Sequence, residues 1–447
     1  MSTTNLHDNI ILNKKDLKKE FEKGCKCKSD FKIGIEYERL LVNKQSSQTI
    51  PYYGENGIYR FLRQIAFKDE WSYLTDFGQV VGLKKGNTTI SLEPGGQFEI
   101  SLEPKNSVKE IQKDIEKLDK KLNLIAKNLD IGFLNYGISP ITTYKDISII
   151  PKKRYSIMSK NLPGDHLANM MRETAGIQVS IDYESEEDAS RKMKLALKLS
   201  PIMTAMFANS PVYDAKLSGY KSFRALSWLF TDNKRCGLIS KKLFEKNDHF
   251  GFQDYIDIIL QIPMLFIIRD NKTIEINQKI NFGDFIKHGY ENHVANIEDF
   301  KLHASLFFPE ARINKYIEIR NHDCQKGELK YSIPAIYKGI FLNTHSINET
   351  LNLLDEYSYE DFAFARECVP RFGLEATLGK HKIHALAKEI IGISKKYLYK
   401  EGKGEHKYLA PIEELLKNNQ SPADVIISNW EEKWAKNTSK LIQHITE

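Results

Sequence analysis

Hydrophobic and polar positions alternate in several short stretches of the chain, and each stretch predicts a strand with one apolar face. In Phe31–Val42, "FKIGIEYERLLV", Glu36 and Glu38 share one side. "TISLEPGGQFEISLEP", Thr89–Pro104, predicts two paired strands with Ile90, Leu92, Ile100 and Leu102 as their apolar half, broken by Pro94-Gly95-Gly96. "TAGIQVSIDY" sets Ile177, Val179 and Ile181 against Gln178, Ser180 and Asp182. "KYIEIRN" sets Ile317 and Ile319 against Glu318 and Arg320.

Between these stretches the period lengthens. Ile111, Ile115, Leu118, Leu122, Ile125 and Leu129 recur at helical spacing behind Ser107, a plausible N-cap. A second long helix is expected from about Ser185 to Asn209, and a third before Pro263. Residues 1 to about 28 read as a polar helical lead-in, and almost everything after about Tyr331 as helix. The strands lack the βα rhythm of a parallel sheet, which argues for an α+β protein with a largely antiparallel sheet. With no repeat or linker in evidence, residues 1–447 read as one integrated domain with a mainly helical C-terminal subdomain from about 331.

Composition narrows the function classes. The net charge of +6 comes from interspersed residues, 65 basic against 59 acidic, and gives no nucleic-acid footprint. The most apolar run, Ile258–Ile268, is too short to span a bilayer and contains Gln261 and Pro263. Five scattered cysteines and an N-terminus without an apolar targeting segment suggest a reduced, cytoplasmic protein with neither membrane nor nucleic-acid partners. No phosphate-binding loop, dinucleotide fingerprint or H-E-x-x-H motif is present.

The candidate chemistry lies on the polar sides of the strands. Glu36, Glu38, Glu93, Glu99, Gln178 and Glu318 come from four segments, and if the apolar sides pack on helices they line one surface. Any one of these acids alone could be an ordinary solvent-facing position. Gathered together they would repel one another, and Mg²⁺ with substrate phosphates would relieve that repulsion. Gly95-Gly96 would let the backbone approach a ligand closely. Arg224, Trp228 and Arg235 fall in a stretch with turn signals, and arginines suit carboxylate or phosphate recognition.

The motifs "GIEYE" (Gly34–Glu38), "SLEPGGQFEIS" (Ser91–Ser101), "IIPKKRYSIM" (Ile149–Met158), "MMRETAGIQVSIDY" (Met170–Tyr183), "DNKRCG" (Asp232–Gly237) and "FPEARINKYIEIRN" (Phe308–Asn321) follow one another in an order that resembles the plant-type glutamate–cysteine ligases. The resemblance implies a carboxylate–amine ligase fold related to the catalytic half of glutamine synthetase, a curved antiparallel cradle with helices on its convex side. It implies ATP-dependent joining of the γ-carboxylate of L-glutamate to the amine of L-cysteine through a γ-glutamyl phosphate. A γ-glutamyl ligase with another amine acceptor, or a non-catalytic relative, is the alternative. The enzyme would act as a monomer or homodimer.

The resemblance also distributes roles. Glu36, Glu38, Glu93, Glu99, Gln178 and Glu318 would hold two or three Mg²⁺ ions against ATP. Arg235, or else Arg224, would clamp the glutamate α-carboxylate, and Arg320 would face the transferred phosphoryl group. Met171, Trp228 and Tyr255 would shape the amino-acid pockets. One departure stands out. Plant members read Met-Met-Leu-Arg-Thr where this chain reads Met170-Met171-Arg172-Glu173-Thr174, so Glu173 occupies the arginine's place.

Overall fold

The computed structural model describes residues 12–245 and 250–446. Residues 1–11 of the expected lead-in lie outside that range; the rest of it forms a helix at Lys14–Glu22. The centre of the molecule is a nine-stranded sheet. Its strands are β1 (Ile33–Asn43), β2 (Ser72–Asp76), β3 (Gln79–Lys85), β4 (Thr88–Leu92), β5 (Phe98–Ser101), β6 (Ile131–Leu134), β7 (Gly176–Ile181), β8 (Ala311–Ile313) and β9 (Ile317–Asp323). Every pairing is antiparallel. The order is β8-β9-β7-β1-β5-β4-β3-β2, with β6 on the far half of β1.

Register turns the sequence pattern into two chemically distinct faces. Glu36 stands opposite Gln178 on one side and Ser101 on the other, Glu38 opposite Glu99, and Glu318 opposite Ser180. Directly opposed residues share a face, so the acids of β1, β5 and β9 and the Gln178 amide of β7 gather on one surface. Ile33, Ile35, Tyr37, Ile177, Val179, Ile181, Ile317 and Ile319 occupy the other and are almost fully buried. Arg39 lies on that buried side, paired to Asp119 at 2.7 Å with its guanidinium over the Phe133 ring.

The helices that matter to the site are α1 (Val108–Lys127), α2 (Lys153–Asn161), α3 (Leu167–Glu173), α4 (Glu186–Met206), α5 (Phe223–Leu229), α6 (Leu329–Phe341), α7 (Tyr359–Phe372) and α8 (Ile383–Glu401). Ser107 caps α1, as the pattern predicted, and Ser185 caps α4 at the start expected for that helix. α4 and α6 pack on the apolar face of the sheet, and α7 and α8 pack on α4. The stretch around Arg224, read from sequence as turn-rich, is helical, because Ser222 caps α5 by accepting from the Ala225 amide at 2.9 Å.

The Pro94-Gly95-Gly96 break is the tight turn the sequence implied, but what it approaches is protein. The Gly96 amide donates to the Glu93 carbonyl at 2.8 Å, and Gly96 has φ +85. A Cβ on Gly95 would overlap the backbone of Arg172 at the end of α3. Gln97 fastens the contact by donating to the carbonyls of Met171 at 3.2 Å and Thr174 at 3.0 Å. The turn that carries Glu93 is thereby wedged against α3.

Candidate active site

Glu36, Glu38, Glu93 and Glu99 are each partly accessible, while Gln178 and Glu318 are buried. Glu38 accepts from the Gly176 amide at 2.6 Å and from Gln178 Nε2 at 2.9 Å. Glu99 accepts from Ser91 Oγ at 2.6 Å, and Glu93 from the Tyr155 hydroxyl at 3.1 Å. Glu36 has no hydrogen-bond or ion-pair partner among the described residues. Burial, with the Glu318 charge next, pushes its pKa up to about 8. Burial also raises Glu38, and raises Glu99 far more, with Glu36, Glu93 and Glu38 adding repulsion.

Glu318 behaves differently. Burial opposes its charge, but Arg312 and Arg320 outweigh burial and hold it below the usual carboxylate range. Arg312 Nη2 donates to its two oxygens at 3.0 and 2.8 Å, Arg312 Nε donates to one of them at 3.2 Å, and Arg320 donates to it as well. Arg320 also donates to Gln178 Oε1 at 2.7 Å.

These facts test the fit of a hard cation. Glu36, Glu38, Glu93 and Glu99 form a set of oxygen donors whose mutual repulsion a divalent ion would relieve. Glu318 and Gln178 already have arginine partners, so either could join a metal shell only if Arg320 moved. Among the described residues no three His, Cys, Asp or Glu side chains form a ready-made metal cluster.

Two cavities flank the carboxylates along the sheet. At the β9 end a small one is walled by Arg224, Trp228, Arg320, Asn321, Glu310 and Arg366, among others. Arg366 comes from α7 and pairs with Glu310 at 2.5 Å. Arg224 makes no ion pair among the described residues; its one recorded side-chain hydrogen bond runs to the Arg320 carbonyl at 2.8 Å. At the β2–β3 end lies a cavity of about 880 Å³, lined by Lys152, Lys153, Lys160 and Lys272 together with Asp76, Phe77 and Ile150. Lys152 connects it to the acids, because its ammonium donates to the Tyr155 hydroxyl at 3.2 Å and that hydroxyl meets Glu93.

Of the residues expected to handle substrate, Arg224, Trp228 and Arg320 line the small cavity, whereas Arg235, Met171 and Tyr255 do not. Arg235 is 1 % exposed and all its nitrogens are engaged, with Asp232 at 2.9 Å and the carbonyls of Leu306 and Pro263. It braces the loop behind the small cavity and cannot clamp a ligand there. Met171 is buried in the core, and the Tyr255 ring packs against Phe21 and Phe307, its hydroxyl accepting from the Ile313 amide. Sequence reasoning missed Arg312, Glu310, Lys152, Asn321 and Arg366. The first four lie inside the quoted motifs, but only Arg312 could have been tested by strand parity; Arg366 sits in a distant helix with no local signal.

The family model for glutamate-cysteine ligase family 2 matches residues 32–444. Glutamate–cysteine ligase B, chloroplastic, of Oryza sativa subsp. japonica is 31% identical over 97% of this chain and 87% of its own length. The chloroplastic ligase of Nicotiana tabacum is also 31% identical, over 97% and 83%. Among solved structures, the glutamate–cysteine ligase of Francisella tularensis in complex with AMP aligns with TM-score 0.60 at 13% identity, covering 93% of this chain and 87% of that one. A bifunctional glutathione synthetase from Pasteurella multocida aligns with TM-score 0.53 at 11% identity, over 93% and 50%. With a family match that runs from the first strand of the sheet to the final helix, this chain belongs to glutamate–cysteine ligase family 2.

Proposed function

We propose that the protein joins the γ-carboxylate of L-glutamate to the amine of L-cysteine at the expense of ATP, with the acidic face of the sheet as the reaction centre. One observation carries the reading: unneutralised carboxylates lie between a cavity walled by arginines and a larger one walled by lysines. The lysine cavity has the size and charge for a nucleoside triphosphate. Lys152, Lys153, Lys160 and Lys272 hold its phosphates, with Lys152 nearest the acids. Arg224, beside Trp228, holds the α-carboxylate of glutamate, so the γ-carboxylate extends past Arg320 to the acidic face.

There the glutamate oxygen attacks the γ-phosphorus and ADP leaves. The acyl phosphate is then attacked by the cysteine amine and phosphate departs. Glu36, Glu38, Glu93 and Glu99 would hold Mg²⁺, which when bound neutralises charge on the transferred phosphoryl and on the leaving group. Arg320 balances the phosphoryl from the β9 side. Positioning and charge do this work without a protein nucleophile. A cytoplasmic setting is supported by the scattered cysteines, which form no recognisable disulfide framework in the sequence. Among the described residues no helix is long and apolar enough to cross a membrane.

The experiment is direct. Purified protein with ATP, Mg²⁺, L-glutamate and L-cysteine should release ADP and γ-glutamylcysteine in equal amounts, and hydroxylamine should trap the acyl phosphate as a hydroxamate. No ADP release with cysteine or with a panel of other amines would overturn the reading. Preference for another amine would replace the acceptor alone.

A further inference from the structure

β9 does not pair evenly with β7. Its register shifts between Ile319 and His322, so Arg320 and Asn321 occupy a bulge. Bulges beside active sites redirect side chains, and here Arg320 keeps to the acidic face while Asn321 lines the small cavity. Asn321 is 4 % exposed, yet among the described residues neither its Oδ1 nor its Nδ2 has a hydrogen-bond partner. Buried amides without partners are uncommon because each unmet group keeps its desolvation cost. Two more buried groups of the same cavity are unmet, Arg224 Nε and Trp228 Nε1.

The unmet set therefore holds three donor groups and one acceptor, whichever way the amide of Asn321 is turned. An α-amino-acid head group is the complement of that set: its carboxylate takes the donors and its ammonium needs the acceptor. Arg320, which also lines the cavity, donates to Glu318, so a ligand held by Arg224 and Asn321 lies beside the acidic face.

We infer that Asn321 is a specificity-determining residue that reads the α-head group of the amino-acid donor. Oδ1 accepts from the α-ammonium and Nδ2 donates to the α-carboxylate held by Arg224. The inference rests on the reading of this cavity as the glutamate end of the site. It goes beyond that reading by naming the group that distinguishes an α-amino acid from a plain dicarboxylate.

The test compares L-glutamate with glutarate, which lacks only the α-ammonium, by calorimetric binding to the full-length protein with Mg²⁺ and a non-hydrolysable ATP analogue. The wild type should prefer L-glutamate by at least thirtyfold. Asn321→Leu, of similar volume, should weaken both ligands through loss of the Nδ2 contact to their shared carboxylate, and should narrow the L-glutamate-over-glutarate ratio at least fivefold, with analogue binding unchanged. Equal losses for both ligands would show a merely structural role, and unchanged L-glutamate affinity would show a cavity that holds only water; either overturns the inference. If Asn321→Leu does not fold, Asn321→Asp answers the same question. Its added charge should widen the L-glutamate-over-glutarate ratio, and a ratio unchanged or narrowed counts against the proposal. A wild type that binds neither ligand would instead remove the glutamate reading itself.

Discussion

At Glu99, burial and three neighbouring carboxylates all act against ionisation, with Ser91 the nearest compensating group. A side chain held in such conflict serves chemistry better than stability. Glu99→Gln should therefore lower kcat/KM at least a hundredfold in ADP release while leaving the melting temperature unchanged or slightly raised. Activity within threefold of the wild type would show that the metal ligands are misplaced. Arg312 presents the opposite case. It neutralises a buried carboxylate, so Arg312→Ala leaves Glu318 with Arg320 as its cation and should destabilise by about 3 kcal/mol or more in urea unfolding. A loss below ~1 kcal/mol would mean that Arg320 alone suffices.

At the scale of the element, α3 shows what the Arg172-Glu173 departure does. Arg172 donates to the Tyr144 carbonyl at 2.9 Å. Glu173, fully buried, accepts from the Tyr144 amide, from Asn169 Nδ2 at 2.8 Å and from the Tyr213 hydroxyl at 3.2 Å. The pair ties α3 to the segment before α2. Burial raises Glu173 to about 7 against these hydrogen bonds. Between roughly pH 4.5 and 7 the folded protein keeps a proton that an unfolded glutamate has lost, so this residue lowers stability as pH rises through that window, by up to about 3 kcal/mol. Glu173→Gln should flatten that part of the profile of unfolding midpoint against pH; an identical slope in both proteins would remove Glu173 as its source. The neighbouring turn gives a steric test. Gly95→Ala forces a Cβ into the Arg172 backbone and should cost ~2 kcal/mol or more in stability. It should also lower activity, because the turn carries Glu93.

At the scale of the molecule, the sheet order keeps the two charged cavities apart, with the acids between them. Substitutions at the two ends should therefore separate kinetically. Lys152→Met should raise KM for ATP at least tenfold with KM for glutamate within twofold. Arg224→Lys should do the reverse, since a lysine lacks the planar fork that grips a carboxylate. Equal effects on both constants would mean one shared pocket and would remove this spatial division.

What the sequence determined by itself is the strand set and its polar faces. Alternation is a local property, and it marked Glu36, Glu38, Gln178 and Glu318 as co-facial before any pairing was known. Helical spacing with a serine cap similarly marked α1, and α4 was expected within two or three residues of its observed ends. The serine cap of α5 was equally present at Ser222, but the turn signals after it obscured the helix. The ordered motifs carried the family.

Which charges meet was settled by the packing of segments remote in the chain. Arg224 and Arg235 look interchangeable along the chain, yet Asp232 and two carbonyls occupy Arg235 while Arg224 remains available. Arg366 reaches the cavity from a helix packed across α4, and no local pattern encodes that approach. The bulge that turns Asn321 inward is a defect of pairing between two strands, and so is absent from either strand's own sequence. Periodicity fixes the face a residue presents, because that depends on its nearest neighbours in the chain. Neutralisation, orphaned donors and cavity walls depend on distance in space, which the packing of remote segments sets.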